Sequence, residues 1–381
     1  MLEEVKKIAI NVLTALWTAA ALLMLVSAYS GRLAPETFPW ASTLGLIFPL
    51  TLLANLLFLF LFLTVAWKRA WLPVAAFLLA FPSISLYLPL HFGDQSAPAD
   101  ADTLTLMSYN VQAFQGPTTS KGTDMQYVDA IMAYIRHHRP DIVCLQECMS
   151  DTRHHIPRLD SLYAHRDTVF LIKTKKGTNC LGIFTRYPIL HSERIKYNSA
   201  ANGSMAWLLR RANDTLLVVS NHLETTHLGK DVRESYRNIL HGNEPADTMR
   251  TQTKHIAGIL GKQATKRAAQ ARAVAAYVDS LRQRHPQWAV IVCGDFNDSP
   301  VSYTYHTIAH SLNDCFQQAG CGPGWSMQAR AFPVRIDHLL CDDHFTTLSC
   351  KVDRTLAASD HYPVCATLQV RKSHSTTSLQ P

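Results

Sequence analysis

Between Lys7 and Arg32 the chain runs for 24 residues without a charged side chain, from Thr37 to Trp67 for 31, and from Ala70 to Gly93 for 24. A helix needs about 20 apolar residues to cross a bilayer's hydrocarbon core, and each run is long enough. One such run would suit a buried core helix, and the first would suit a cleavable signal peptide. Three in succession argue instead for three transmembrane helices, at about 8–29, 44–66 and 71–91. The mixed charges of Glu3, Glu4, Lys6 and Lys7 ahead of the first run also speak against a signal peptide. Only Lys68 and Arg69 separate the second and third runs, so those helices are expected to form a tight antiparallel hairpin. Pro73, Pro82 and Pro89 predict kinks, which neighbouring helices tolerate in a bilayer.

The basic residues set an orientation. Lys6 and Lys7 precede the first span, and Lys68 and Arg69 lie on the same side of the membrane if there are three spans. The positive-inside rule makes that side cytoplasmic. An odd number of spans then places everything after residue 100 in an extracytoplasmic compartment, at the periplasmic or external face.

Charge divides the chain at the same point. Residues 1–100 carry five basic and five acidic side chains, so the formal charge of +7 belongs wholly to residues 101–381. With 48% hydrophobic residues, a disordered chain is excluded. Residues 94–102 (DQSAPADAD) read as a linker, 103–371 as one layered α/β domain and 372–381 as a frayed tail.

Within 103–371, five short runs read as strands: TLTLMSYNV, DIVCLQE, TLLVVSNHL, WAVIVCGDF and RIDHLLC. MQYVDAIMAYIRHH (125–138) and AAQARAVAAYVDSLRQRH (268–285) have the three- and four-residue apolar spacing of amphipathic helices. Nearly every strand ends in polar residues: Asn110, Glu147, Asn221–His222, Asp295–Asn297 and Asp337–His338. Ends of adjacent strands gather on one edge of a sheet, so that edge is the candidate site. All nine cysteines lie beyond residue 140, and none has zinc-site spacing. Cys144 and Cys293 are expected to be small buried hydrophobes. Cys315/Cys321 and Cys341/Cys350 are close enough in sequence to be bridged.

Taken in order, MSYNVQAF, DIVCLQE, SNHLE, IVCGDFNDSP, RIDHLL and SDHYPV resemble the endonuclease/exonuclease/phosphatase superfamily over about 103–371. This resemblance implies the deoxyribonuclease I-like fold, a four-layer α/β/β/α sandwich, and metal-dependent hydrolysis of phosphate esters with Mg²⁺ or Mn²⁺. It makes Glu147 the principal metal ligand, with Asn110 beside it and Asp360 a further acidic residue of the metal site. Asp295 would orient or deprotonate the attacking water, with Asn297 as its partner near the phosphate. His361 would be the essential histidine, held by Asp337, and His222 the second histidine, touching the phosphate. Asn110, His222 and Asn297 would thus also contact substrate. Every position of the constellation is filled, which favours an enzyme.

Departures limit the substrate. Gln112 stands where apurinic endonucleases carry an acidic residue, and His338, expected to be partly exposed, stands where an aromatic residue is common. Residues 228–267 read as a basic helical insertion, with only Tyr236 to stack on a base. Three function classes remain: a membrane-tethered phosphoesterase acting on a phosphate ester such as a lipid headgroup, an extracytoplasmic nuclease, and a non-catalytic binding protein on this fold.

Overall fold

A computed structural model of the chain describes residues 1–93, 98, 100–117, 123–148, 159, 161–174, 177–225, 246–328 and 333–371. Most of the expected linker, the first part of the basic insertion with Tyr236, and the expected tail lie outside the described residues. The described chain forms two compact units. One comprises residues 1–87, 226–268 and 299–306, and the other residues 88–225, 269–298 and 307–381.

In the first unit, α1 (Leu2–Ala28), α2 (Phe48–Val65) and α3 (Trp71–Tyr87) pack together. Their inward faces repeat at helical steps: Trp17, Ala21, Met24 and Ala28 in α1, and Pro73, Ala76, Ala80, Ser83 and Tyr87 in α3. Many of the large side chains face outward, including Leu16, Leu53, Leu57, Phe60 and Leu78. Small and polar groups hold the interior. Ser27 Oγ meets Thr51 Oγ1 at 3.0 Å, Asn55 Nδ2 donates to Ala20 O at 3.1 Å, and Ser83 Oγ donates to Ala28 O at 2.7 Å. These hydrogen bonds sit among buried Trp17, Met24, Phe48 and Phe62. Large apolar side chains outside, with small residues and interhelical hydrogen bonds inside, suit helices in lipid, where the hydrophobic effect does not select the interface. Three helical segments, spanning 2–28, 43–65 and 67–87, are long and apolar enough to cross a membrane. Of the three prolines, Pro82 lies inside α3, Pro73 in its first turn and Pro89 beyond its end.

The second unit is built on two six-stranded sheets. The first runs in the order β11–β12–β1–β2–β4–β3 and the second β5–β6–β7–β8–β10–β9. The strands are β1 (Thr103–Asn110), β2 (Ile142–Gln146), β3 (His165–Thr174), β4 (Gly177–Thr185), β5 (Ile189–Ile195), β6 (Gly203–Arg211), β7 (Asp214–His222), β8 (Ala289–Asp295), β9 (Asn313–Asp314), β10 (Asp337–Cys341), β11 (Phe345–Val352) and β12 (Val364–Val370). Each sheet has one central parallel pair, β1 with β2 and β7 with β8, among antiparallel neighbours. The sheets face each other across a core that takes Leu106, Ile142 and Ile183 from one and Trp207, Val218 and Ile291 from the other. On the outer face of the first sheet lies α4 (Met125–His138), with Val128, Ile131, Met132 and Ile135 packed on Met107, Tyr109, Val143 and Leu145. Asp124 caps this helix by accepting from Gln126 N at 2.9 Å. The layers are those of the deoxyribonuclease I-like fold.

α5 runs unbroken from Ala246 to Arg284, so the described part of the basic insertion and the amphipathic helix after it form one helix. Cys144 and Cys293 are buried in the intersheet core as expected. Neither Cys315/Cys321 nor Cys341/Cys350, the two pairs close enough in sequence to be bridged, forms a disulfide. Cys315 is buried with its sulfur 3.6 Å from Cys341, whereas Cys321 is exposed.

Candidate active site

Parallel pairing aligns strand ends, and both parallel pairs end on chemistry. In the first sheet Asn110 lies opposite Gln146, which puts Glu147 one residue past the edge. In the second, His222 lies opposite Asp295, and the antiparallel β10 brings Asp337 opposite the same Asp295. Gly294 makes this register possible. Its φ is +121°, and a Cβ there would sit 2.1 Å from Asn221 O. Glu147 and Asn297, each just past a strand of a parallel pair, hold left-handed φ values of 50° and 52°. Such backbone costs about 1–3 kcal/mol per residue and persists where the surroundings enforce it.

The two sheet edges meet through Asn110. Its Nδ2 donates to Glu147 Oε1 at 3.2 Å and to Asp295 Oδ2 at 3.1 Å, while its Oδ1 accepts from Gln112 N at 3.0 Å. Asn110 thus turns its amide nitrogen, not its oxygen, toward the carboxylates. Asp295 is further held by the backbone N–H of Asn297, which donates to Oδ1 at 2.8 Å. Asn297 Nδ2 donates to Leu223 O at 2.9 Å.

His361 Nδ1 lies 2.7 Å from Asp337 Oδ2, and its Nε2 lies 3.8 Å from Asp295 Oδ2. Ser326 Oγ accepts the backbone N–H groups of Ile336 and Asp337 at 3.0 Å each, fixing the dyad's base. Ser359 Oγ donates to Asn110 O at 2.8 Å, which ties the segment carrying Asp360 and His361 to the end of β1. Burial alone would lower the His361 pKa. The carboxylates of Asp337, Asp295 and Asp360 outweigh it and push the value well above the ordinary range. Asp295 is raised as well: burial, then the Asp337 charge, lift its carboxyl from 3.8 to about 6 despite the two histidines. Asp360 is also raised, by burial and then by the charge of Glu147. The site therefore holds an acid and a base side by side, their protonation set by environment.

His222 supplies a buried donor. Asn179 Nδ2 donates to Ala201 O at 3.0 Å and lies 3.2 Å from His222 Nδ1. A carbonyl can only accept, so the amide nitrogen must face it and must also donate to Nδ1. The proton of the neutral ring then sits on Nε2. That nitrogen stands 3.3 Å from Glu147 Oε1 and 3.9 Å from Asp295 Oδ2, buried and without a hydrogen-bond partner among the described residues. Asn179 carries no motif and was missed in the sequence. A strand-borne amide one residue before a buried cysteine gives no signal without the fold.

His338 departs from expectation. It is buried, its Nε2 is 3.0 Å from Asp298 O, and its ring lies 5.0 Å from that of Phe296. Burial, then Arg335, lower its pKa to about 4. It fills the position as a neutral core residue.

The sequence model of the endonuclease/exonuclease/phosphatase family matches residues 107–361. That of a domain of unknown function, DUF8431, matches residues 9–87. Several solved structures are similar in fold. The human Nocturnin catalytic domain with bound sulfate is 17% identical, with a TM-score of 0.51 over 71% of this chain and 98% of that one. An endonuclease/exonuclease/phosphatase from Beutenbergia cavernae is 17% identical, with a TM-score of 0.50 over 70% of this chain and 72% of that one. A member of that family from Bacteroides thetaiotaomicron is 16% identical, with a TM-score of 0.50 over 72% of this chain and 98% of that one. No curated protein matches the sequence.

Proposed function

Because the chain belongs to the endonuclease/exonuclease/phosphatase family and is a hydrolase of phosphate esters, we propose that it is a membrane-tethered phosphoesterase. It cleaves a phosphodiester or phosphomonoester by in-line attack of an activated water. The observation that carries this reading is a buried arrangement: the Asp295 carboxylate, bound by Asn110 Nδ2 at 3.1 Å and by Asn297 N at 2.8 Å, lies 3.8 Å from the Nε2 of His361, whose Nδ1 is 2.7 Å from Asp337.

Asp295 takes the proton of the attacking water, its carboxylate oriented by Asn110 and by the backbone of Asn297. His361 donates from Nε2 to the phosphoryl group, and Asp337 keeps it protonated. His222, locked as the Nε2–H tautomer by Asn179, donates a hydrogen bond to a phosphoryl oxygen. Asn297 lines the phosphate position from its left-handed turn. A divalent ion, when bound here, would supply neutralisation of charge at phosphorus and on the leaving oxygen. Glu147 and Asp360 would hold it, with Asn110 positioning Glu147. Hard oxygen donors suit Mg²⁺ or Mn²⁺, and the charge of Glu147 that raises the Asp360 pKa is what a cation would relieve. Asp295, Asp337 and His361 also bring ligand atoms within 4.8 Å of one another. With its Nδ1 bound to Asp337 and its ring protonated, His361 serves proton handling there rather than ligation.

The three apolar helices are the anchor, with Lys6, Lys7, Lys68 and Arg69 on the cytoplasmic side and the catalytic domain extracytoplasmic. An anchored enzyme of this kind is confined to a bilayer whose phosphate-ester headgroups are its nearest substrates. The second reading, a nuclease of the same chemistry, has the positive balance of residues 101–381 in its favour, 31 basic against 24 acidic. The test is cleavage by the full chain in detergent of sphingomyelin, inositol polyphosphates and plasmid DNA, with Mg²⁺ or with chelator. Metal-dependent turnover of a lipid or small ester supports the first reading. Cleavage of DNA that falls steeply with salt supports the second. A purified chain inert on all of them, with function in cells that survives Glu147→Ala, returns the binding-protein reading.

A further inference from the structure

Cys148 directly follows Glu147, and Cys180 lies on β4, the antiparallel partner of β2. The register that pairs Gln146 with Leu181 would next set Glu147 against Cys180, but the left-handed turn at Glu147 puts Cys148 in that place instead. There Cys148 N donates to Cys180 O at 3.4 Å, and the two sulfurs come within 2.7 Å. Both residues are buried in the core beneath α4. Gly182 leaves the room, since a Cβ there would lie 3.2 Å from the Cys148 sulfur. Backbone pairing thus brings these thiols together, far closer than Cys315 and Cys341 at 3.6 Å.

We propose that Cys148 and Cys180 are joined by a disulfide in the mature protein, and that this bond clamps the Glu147 corner to β4, the neighbour of β2 in the first sheet. The two thiols exchange with a disulfide oxidant, either a disulfide oxidoreductase or oxidised glutathione. One S–S bond forms between the cysteine sulfurs while the oxidant's S–S bond breaks. Two electrons and two protons pass to the oxidant, which leaves as two thiols. Because both sulfurs are buried in the folded domain, exchange precedes closure of this core. An oxidising compartment is where such a bond forms and persists, which the proposed extracytoplasmic location provides.

The consequence lies in what flanks the bond. On one side is Glu147, held at a left-handed φ of 50°. On the other is Asn179, which sets the tautomer of His222. One covalent link therefore fixes the corner that presents the carboxylate and the strand that orients the donor. The significance of those neighbours rests on the function proposed above, and the oxidising compartment on the location proposed with it; the sulfur contact rests on neither.

The experiment reads the bond without using activity or metal, so its failure is separate from failure of the functional reading. Cells expressing the full chain are quenched in acid and treated with N-ethylmaleimide before any reductant. The protein is then purified under denaturing conditions, digested and analysed by mass spectrometry. The expected result is a Cys148 peptide linked to a Cys180 peptide, separated by dithiothreitol. Both cysteines carrying maleimide, or either one linked to a different cysteine, overturns the proposal. For the clamp, a reductant is expected to lower the urea midpoint of the purified full chain and to have no effect on a Cys148→Ser variant. An unchanged midpoint in the native chain overturns the clamp.

Discussion

The Asp337→Asn substitution separates the charge of the dyad from its shape. Asparagine keeps an oxygen to accept from His361 Nδ1, so the ring's tautomer and position are retained. What is lost is a carboxylate 2.7 Å from an imidazole buried with it. An opposite charge this close favours the protonated ring by about 1–3 pH units, or about 1.4–4 kcal/mol. Activity in the native enzyme is expected to rise as Asp295 loses its proton, near 6, and to fall at alkaline pH as His361 loses its own. The variant's alkaline limb should move down by about 1–3 pH units. Its acidic limb should also move down, but by less, because burial rather than Asp337 is the main cause of the raised Asp295 pKa. The assay is kcat/KM against pH on bis-p-nitrophenyl phosphate at fixed Mg²⁺. If the profile only loses height while the alkaline limb stays in place, Asp337 merely positions the ring and the electrostatic reasoning is refuted.

Three further outcomes follow from the same geometry. Asp295 has a folded pKa above its ordinary value, so its charge destabilises the folded state above about pH 6, and the penalty disappears below about pH 4. Asp295→Asn should therefore abolish turnover yet stabilise the fold near neutral pH by up to about 3 kcal/mol less the cost of the altered Asn110 contact, read as a higher melting temperature, with no gain in acid. A thermal melt at both pH values without divalent metal checks it. Gly294→Ala should destabilise the domain by several kcal/mol, roughly the upper end of the range for a strained backbone plus a steric clash, because its Cβ would meet Asn221 O at 2.1 Å; a urea midpoint equal to the native protein's would contradict this. A reporter enzyme fused after Pro381 should be active only in the extracytoplasmic compartment, and cytoplasmic activity would require an even number of spans or the opposite orientation.

The chemistry of this chain was legible where it coincided with a strand end. β1, β2, β7 and β8 are buried runs that stop at or beside polar residues, and parallel pairing turns that one-dimensional pattern into a strand edge; Asp337 instead begins β10, which antiparallel pairing brings to Asp295. Other strands gave weaker signals. β5 is exposed along most of its length, so it lacks the alternation that marks a half-buried strand. Helix α5 was read as two pieces because its first half lacks a regular apolar stripe. His338 was misjudged because sequence places a histidine on a strand but does not say which face the sheet covers. Asn179 and the Cys148–Cys180 contact depend on β2–β4 pairing between segments more than thirty residues apart, and such register is set by the packed fold rather than by either segment alone.

The most direct test of the central claim is hydrolysis of bis-p-nitrophenyl phosphate by the full chain in detergent, titrated with Mg²⁺, beside Glu147→Gln. Glutamine keeps the size of the side chain and removes the charge that would hold the ion. The account predicts saturable, metal-dependent turnover in the native chain that chelator abolishes. In the variant it predicts turnover reduced by at least about 10- to 100-fold, as loss of a metal-site group typically causes. Equal turnover of the two proteins, or native turnover indifferent to chelator, would contradict it.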